Sequence, residues 1–79
     1  MEMKRGTVVQ SLAGRDRDRL MVVLACWEGR VLVADGKVRK LAAPKAKNPR
    51  HLRQLGCCLS LEDCGSDKAL RKALTMLDL

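Results

Sequence analysis

Gly6-Thr7-Val8-Val9-Gln10-Ser11-Leu12-Ala13-Gly14-Arg15-Asp16-Arg17-Asp18-Arg19 runs without a break into Leu20-Met21-Val22-Val23-Leu24-Ala25-Cys26-Trp27, and the fold turns on this stretch. The β-branched Thr7, Val8 and Val9 beside the permissive Gly6 suit a first strand, Thr7 to Ser11. Gly14 then leads a charged turn in which arginines and aspartates alternate. Leu20 to Trp27 is continuously apolar, as expected of a strand covered on both faces or curled into a barrel. Arg15, Arg17 and Arg19 thereby stand at the mouth of a small β-structure.

Working outward, Glu28-Gly29 is a tight turn into a strand from Arg30 to Ala34. Asp35-Gly36 is a two-residue hairpin signal, because a type I′ turn needs positive φ at both central positions. Val38 to Leu41 is the expected return strand. Pro44 and Pro49 bracket a loop, since proline cannot donate to a ladder and restricts its predecessor. His51 to Leu55 is the closing strand. Short strands at close spacing predict a small barrel or sandwich. From Ser66 the period changes: Ser66 caps, Asp67 favours the positive end, and Leu70, Ala73, Leu74 and Leu77 recur at helical spacing. The expected organisation is a β-unit over 1–55, a linker over 56–65 and a helix over 66–79. At 79 residues, one small domain is the limit.

Charge is the second constraint. The net charge is +7. Residues 1–55 hold thirteen Lys/Arg against five Asp/Glu, and residues 56–79 hold three against four. The basic character therefore belongs to the β-unit. Between Lys37 and Arg53 stand Lys37, Arg39, Lys40, Lys45, Lys47, Arg50 and Arg53 with no acid among them. Clustered cations without competing carboxylates suit a polyphosphate, because each neutralised phosphate releases condensed counterions. The arginines at 15, 17 and 19 leave two geometries open. In an extended segment they share one side and can fork onto phosphates. In a tight turn they form a self-neutralising cluster with Asp16 and Asp18.

The opening stretch resembles the KOW motif of RNA-binding SH3-like barrels in ribosomal proteins and transcription factors. The matching residues are Gly6, Val8, Gly14, Asp16, Arg17 and Arg19, then Leu20 to Leu24. The motif's central glycine falls on Asp18, a residue type that enters the left-handed region less readily than glycine. Val31 to Gly36, Val38 to Leu41 and the Pro/Lys segment are similar to the barrel of eukaryotic-type large-subunit ribosomal proteins (the fourteen, six and twenty-seven group). They are more similar still to short bacterial KOW-domain proteins that end in a small basic helix. The resemblance implies a mainly β fold, a small SH3-like five-stranded barrel with a C-terminal α-helix.

It also implies a non-catalytic protein that grips ribosomal or other structured RNA through backbone phosphates, alone or beside ribosomal proteins. Arg15, Arg17 and Arg19 from the first loop, and Arg39, Lys40, Lys45, Lys47 and Arg50 from the basic hairpin and loop, are the expected contacts. The alternative is a protein-interaction module that docks a ribosomal or transcription partner through the barrel or the Leu70/Ala73/Leu74/Leu77 stripe.

Other chemistry finds little footing. Trp27 is the only aromatic besides His51. At the end of an apolar strand it is expected in the core or at the rim rather than as a base platform. Cys26 is expected as a small core hydrophobe and Cys57, Cys58 and Cys64 as linker thiols. None forms a C-x-x-C pair, so neither zinc nor a structural disulfide is expected. There is no P-loop, dinucleotide glycine pattern or nucleophile elbow, and no cofactor is expected. The longest apolar run is far below the roughly 18–20 residues of a membrane span, and polar residues after Lys4 and Arg5 interrupt any signal-like core. A soluble, cytoplasmic protein is the expectation.

Overall fold

The computed structural model describes residues 3–77. Strands β1 (Thr7–Ser11), β2 (Leu20–Trp27) and β3 (Arg30–Ala34) stand where the sequence places them. Strands β4 (Lys45–Lys47) and β5 (Leu52–Cys58) follow, then helix α1 (Asp67–Thr75). All pairings are antiparallel, in the order β4-β3-β2-β1-β5. The fold is mainly β: an open five-stranded antiparallel sheet with one C-terminal helix. No described helix is long and apolar enough to cross a membrane.

The sheet is strongly coiled, as one side chain demonstrates. Register sets Lys47 opposite Val31, and Val31 opposite Cys26, near the end of β2 remote from Leu20. Ser11 lies at the other end, one residue beyond the Gln10–Leu20 pair. In a flat sheet β4 and β1 would also be about 14 Å apart. Yet the Lys47 ammonium donates to the Ser11 hydroxyl at 3.1 Å. Only a sheet bent over on itself brings the two together.

Both faces of the sheet are covered, which explains the unbroken apolar run. One face carries Val9, Met21, Val23, Val31, Val33 and Leu52, packed with Met3. The other carries Val8, Val22 and Ala34 against Leu70, Leu74 and Cys64. Ser66 caps α1 through its side chain, which accepts from the Ala69 amide at 3.1 Å. A helix this short is marginal in isolation. Burying Leu70 and Leu74 contributes about 1.5–3 kcal/mol each before ordering costs, so α1 exists because it packs.

The second hairpin departs from expectation. Val38 to Leu41 is not a strand; β4 lies instead between the two prolines. Asp35 is the cause. Its Oδ1 accepts from the amides of Lys37 (3.0 Å) and Arg39 (2.8 Å), folding the chain back before a ladder can start. The Leu41 amide is taken by Asp67 Oδ1 at 2.7 Å, at the start of α1. Gly36 has φ +79, but not to close a hairpin. A Cβ there would strike the Asp67 carbonyl oxygen, so glycine lets the loop touch the helix. The two-residue turn with both φ values positive sits at Glu28 (+46) and Gly29 (+77). The closing strand runs to Cys58, three residues past its expected end.

Two cysteines exchange places with their expected roles. Cys26 is exposed and its thiol donates to the Met3 carbonyl, whereas Cys64 is buried against the helix. Trp27 is not in the core either: it is 69% exposed at the tip of the β2–β3 hairpin. A β-bulge between Val23 and Ala25 explains the tryptophan. Strict alternation from Met21 and Val23 would turn Ala25 and Trp27 inward. One inserted residue reverses the phase, so Cys26 faces with Val31 and Trp27 faces out.

Candidate nucleic-acid interface

The β1–β2 loop is a compact turn rather than an extended segment. A 3₁₀ turn spans Gly14–Asp16. The base of the loop is closed by Ser11 N to Arg19 O (3.0 Å) and Asp18 N to Ser11 O (2.7 Å). Asp18 takes φ +69, the left-handed conformation that the glycine of the resembled motif would adopt most easily. The alternating charges therefore do not sort onto two sides. Arg15 and Arg17 stay exposed, and Asp16 turns into the protein.

Asp16 is only 3% exposed and binds two of the expected contacts. Arg39 donates through Nε at 3.1 Å and brings Nη2 to 3.1 Å of the same carboxylate oxygen. Lys47 Nζ lies 3.5 Å away, while also donating to Ser11 Oγ. Burial by itself would push the Asp16 carboxyl up. The hydrogen bond and charge of Arg39, joined by Lys47, outweigh it and hold the group below its ordinary value.

Asp35 is the second buried carboxylate. While one oxygen holds the backbone of the β3–β4 loop, the other receives Arg19 Nη1 at 3.0 Å. The Arg19 Nε is buried without a hydrogen-bond partner. A third tie, Leu12 N to His51 O at 2.8 Å, fastens the first loop to the 3₁₀ turn Pro49–His51 that precedes β5. Asn48 caps that turn by accepting from the Arg50 amide at 2.9 Å.

Three segments distant in sequence are thus clipped into one rim: the β1–β2 loop, the β3–β4 loop with β4, and the turn before β5. Of the expected contacts, Arg15, Arg17, Lys40, Lys45 and Arg50 are exposed there. Lys37, in the same loop, is exposed as well. Arg19, Arg39 and Lys47 are held by carboxylates and serve first to shape the rim. Asp18 is the exposed acid within these segments, since Asp16 and Asp35 are buried and paired. Sequence reasoning missed the organising role of those two aspartates. Their signal was present in the alternation at 15–19 and in Asp35-Gly36, but each was open to a simpler reading.

Among the described residues, no three of His, Cys, Asp and Glu gather as metal ligands would. A scan against protein-family models finds no match for this chain, and neither does a search of curated proteins.

Proposed function

We propose that this chain is a non-catalytic RNA-binding module of the KOW type, an SH3-like barrel that grips structured RNA of the ribosomal kind through its phosphates. The observation that carries the proposal is the rim itself. Two buried carboxylates consume the charges that build it and leave Arg15, Arg17, Lys40, Lys45 and Arg50 exposed around it. Such a surface suits a polyanion, and its scaffold is rigid enough to favour one shape of backbone over another.

Two further features support the barrel and the motif. The sheet bends until its β4 edge reaches the end of β1. Asp18 accepts the left-handed backbone at the position where the motif carries glycine. Of the two docking surfaces in the rival reading, the barrel and the helix stripe, the stripe is the less available. Leu70 and Leu74 are buried in the sheet's second face, with Ala73 and Leu77 packed beside them.

The test is binding of the full chain to total ribosomal RNA across a salt series. Five neutralised phosphates give a log–log slope of roughly −3.5 to −4.5. A near-flat salt dependence would overturn the proposal. The full chain is the right material, because removing α1 would strip the cover from Val8, Val22 and Ala34.

A further inference from the structure

The phosphate rim leaves one conspicuous feature unused, at the opposite end of β2. Trp27 is the chain's single tryptophan, among no tyrosines or phenylalanines, and it stands 69% exposed. Its exposure follows from the bulge between Val23 and Ala25, which turns it away from the Met3/Val31 core. Bulges of this kind re-aim side chains, and here the re-aimed side chain is the largest apolar one in the protein.

The surroundings suit a flat ligand. Trp27 is the register partner of Arg30, so the two side chains share a face with Cβ atoms about 4.5–5.5 Å apart. The Glu28-Gly29 turn between them holds that spacing. Ala25, two residues back on the same face, is small, and so is Ala46, which pairs with Leu32 beyond it. Both alanines are exposed, Leu32 between them is half-buried, and the helix-covered cluster on this face takes in Val22, Ala34 and the partly buried Leu24. The indole ring itself stays 69% exposed beside these residues.

We infer that Trp27 is a stacking platform for one unpaired nucleobase, with Arg30 placed to meet the adjoining phosphate. An open indole stacks on any base, and an adjacent guanidinium adds charge where the backbone must pass. The inference rests on the RNA-binding reading above and extends it. Backbone contacts at the rim are indifferent to base pairing, whereas this second contact selects RNA with a bulged, looped or frayed nucleotide.

Because Trp27 is the only strong intrinsic fluorophore, its emission reports the contact directly. The full chain is titrated with a short oligoadenylate, a blunt RNA duplex and inorganic polyphosphate. Oligoadenylate is expected to quench Trp27, and polyphosphate to bind without quenching. In Trp27→Ala, anisotropy of labelled oligoadenylate should show affinity lower by about 5- to 150-fold, the worth of one base–aromatic stack. Polyphosphate affinity should be unchanged, since Trp27 is exposed and its loss leaves the rim intact. Oligoadenylate binding without quenching, or an affinity of the variant within about twofold of the parent, overturns the stacking inference while leaving the phosphate rim standing. Failure of the parent to bind all three polyanions overturns both.

Discussion

Asp16→Asn removes one charge and almost no volume, and it tests whether a buried carboxylate builds the rim. Asp16 has three cationic contacts, two from Arg39 at 3.1 Å and one from Lys47 at 3.5 Å. Removing one partner of a fully buried pair typically costs about 3–5 kcal/mol, and a surface pair about 0–1. This site lies between the two. Arg39 exposes 28% of its side chain and can turn to water. Lys47 exposes 10% but keeps its bond to Ser11. A loss of about 2 kcal/mol follows, and with a urea slope of roughly 1 kcal/mol/M for so small a chain the midpoint falls by about 2 M.

Far-UV circular dichroism should follow the transition, since Trp27 is too exposed to report it well. The effect also has a pH signature. Because the Asp16 pKa is lowered in the folded protein, its contribution is complete above the unfolded carboxyl value of about 3.9 and fades as pH falls through the lower folded value. The gap between parent and variant should hold from neutral pH down to about pH 5 and close in stronger acid. Meanwhile Arg39 is released, so RNA affinity should hold or rise and the salt slope should steepen by roughly 0.7–0.9. A variant within about 0.5 kcal/mol of the parent at neutral pH, or a gap that persists unchanged in strong acid, refutes the argument.

Three further outcomes are expected. Gly36→Ala places a Cβ against the Asp67 carbonyl at a positive φ, and should lower stability by roughly 2–4 kcal/mol with loss of helical ellipticity. Arg15→Gln with Arg17→Gln should leave the urea midpoint in place while making the RNA salt slope shallower by roughly 1.4–1.8, because both side chains are exposed and make no ion pair among the described residues. Asp18→Gly relieves a non-glycine residue at φ +69 and removes the exposed acid of the rim. Stability should rise by up to about 1 kcal/mol and RNA should bind more tightly.

Where local preference and burial agree, the sequence was legible. Thr7–Ser11, Leu20–Trp27 and Arg30–Ala34 follow from β-branched and apolar runs, and the helix from its cap and its stripe. The fourth strand was not legible, because the competition was settled by side chains. Val38 to Leu41 has the better strand composition, yet Asp35 captures the amides of Lys37 and Arg39, and Asp67 captures that of Leu41. Lys45–Lys47 is left to pair with Val33 to Val31. The outward turn of Trp27 was hidden for a related reason. A single bulge residue reverses the alternation, and composition does not mark where a bulge falls.

The stretch from Gly6 to Trp27, taken by itself, determines two strands, a turn between them, and a cluster of arginines at the turn. Composition also determines that the excess positive charge lies before residue 56. Only the tertiary structure decides which cations are free. Charge counts add up along the chain, but ion pairs form across it. Asp16 meets Arg39 and Lys47, and Asp35 meets Arg19, only after the sheet has bent and the loops have met. That folding step converts eight candidate contacts into three that hold the rim and five that face outward.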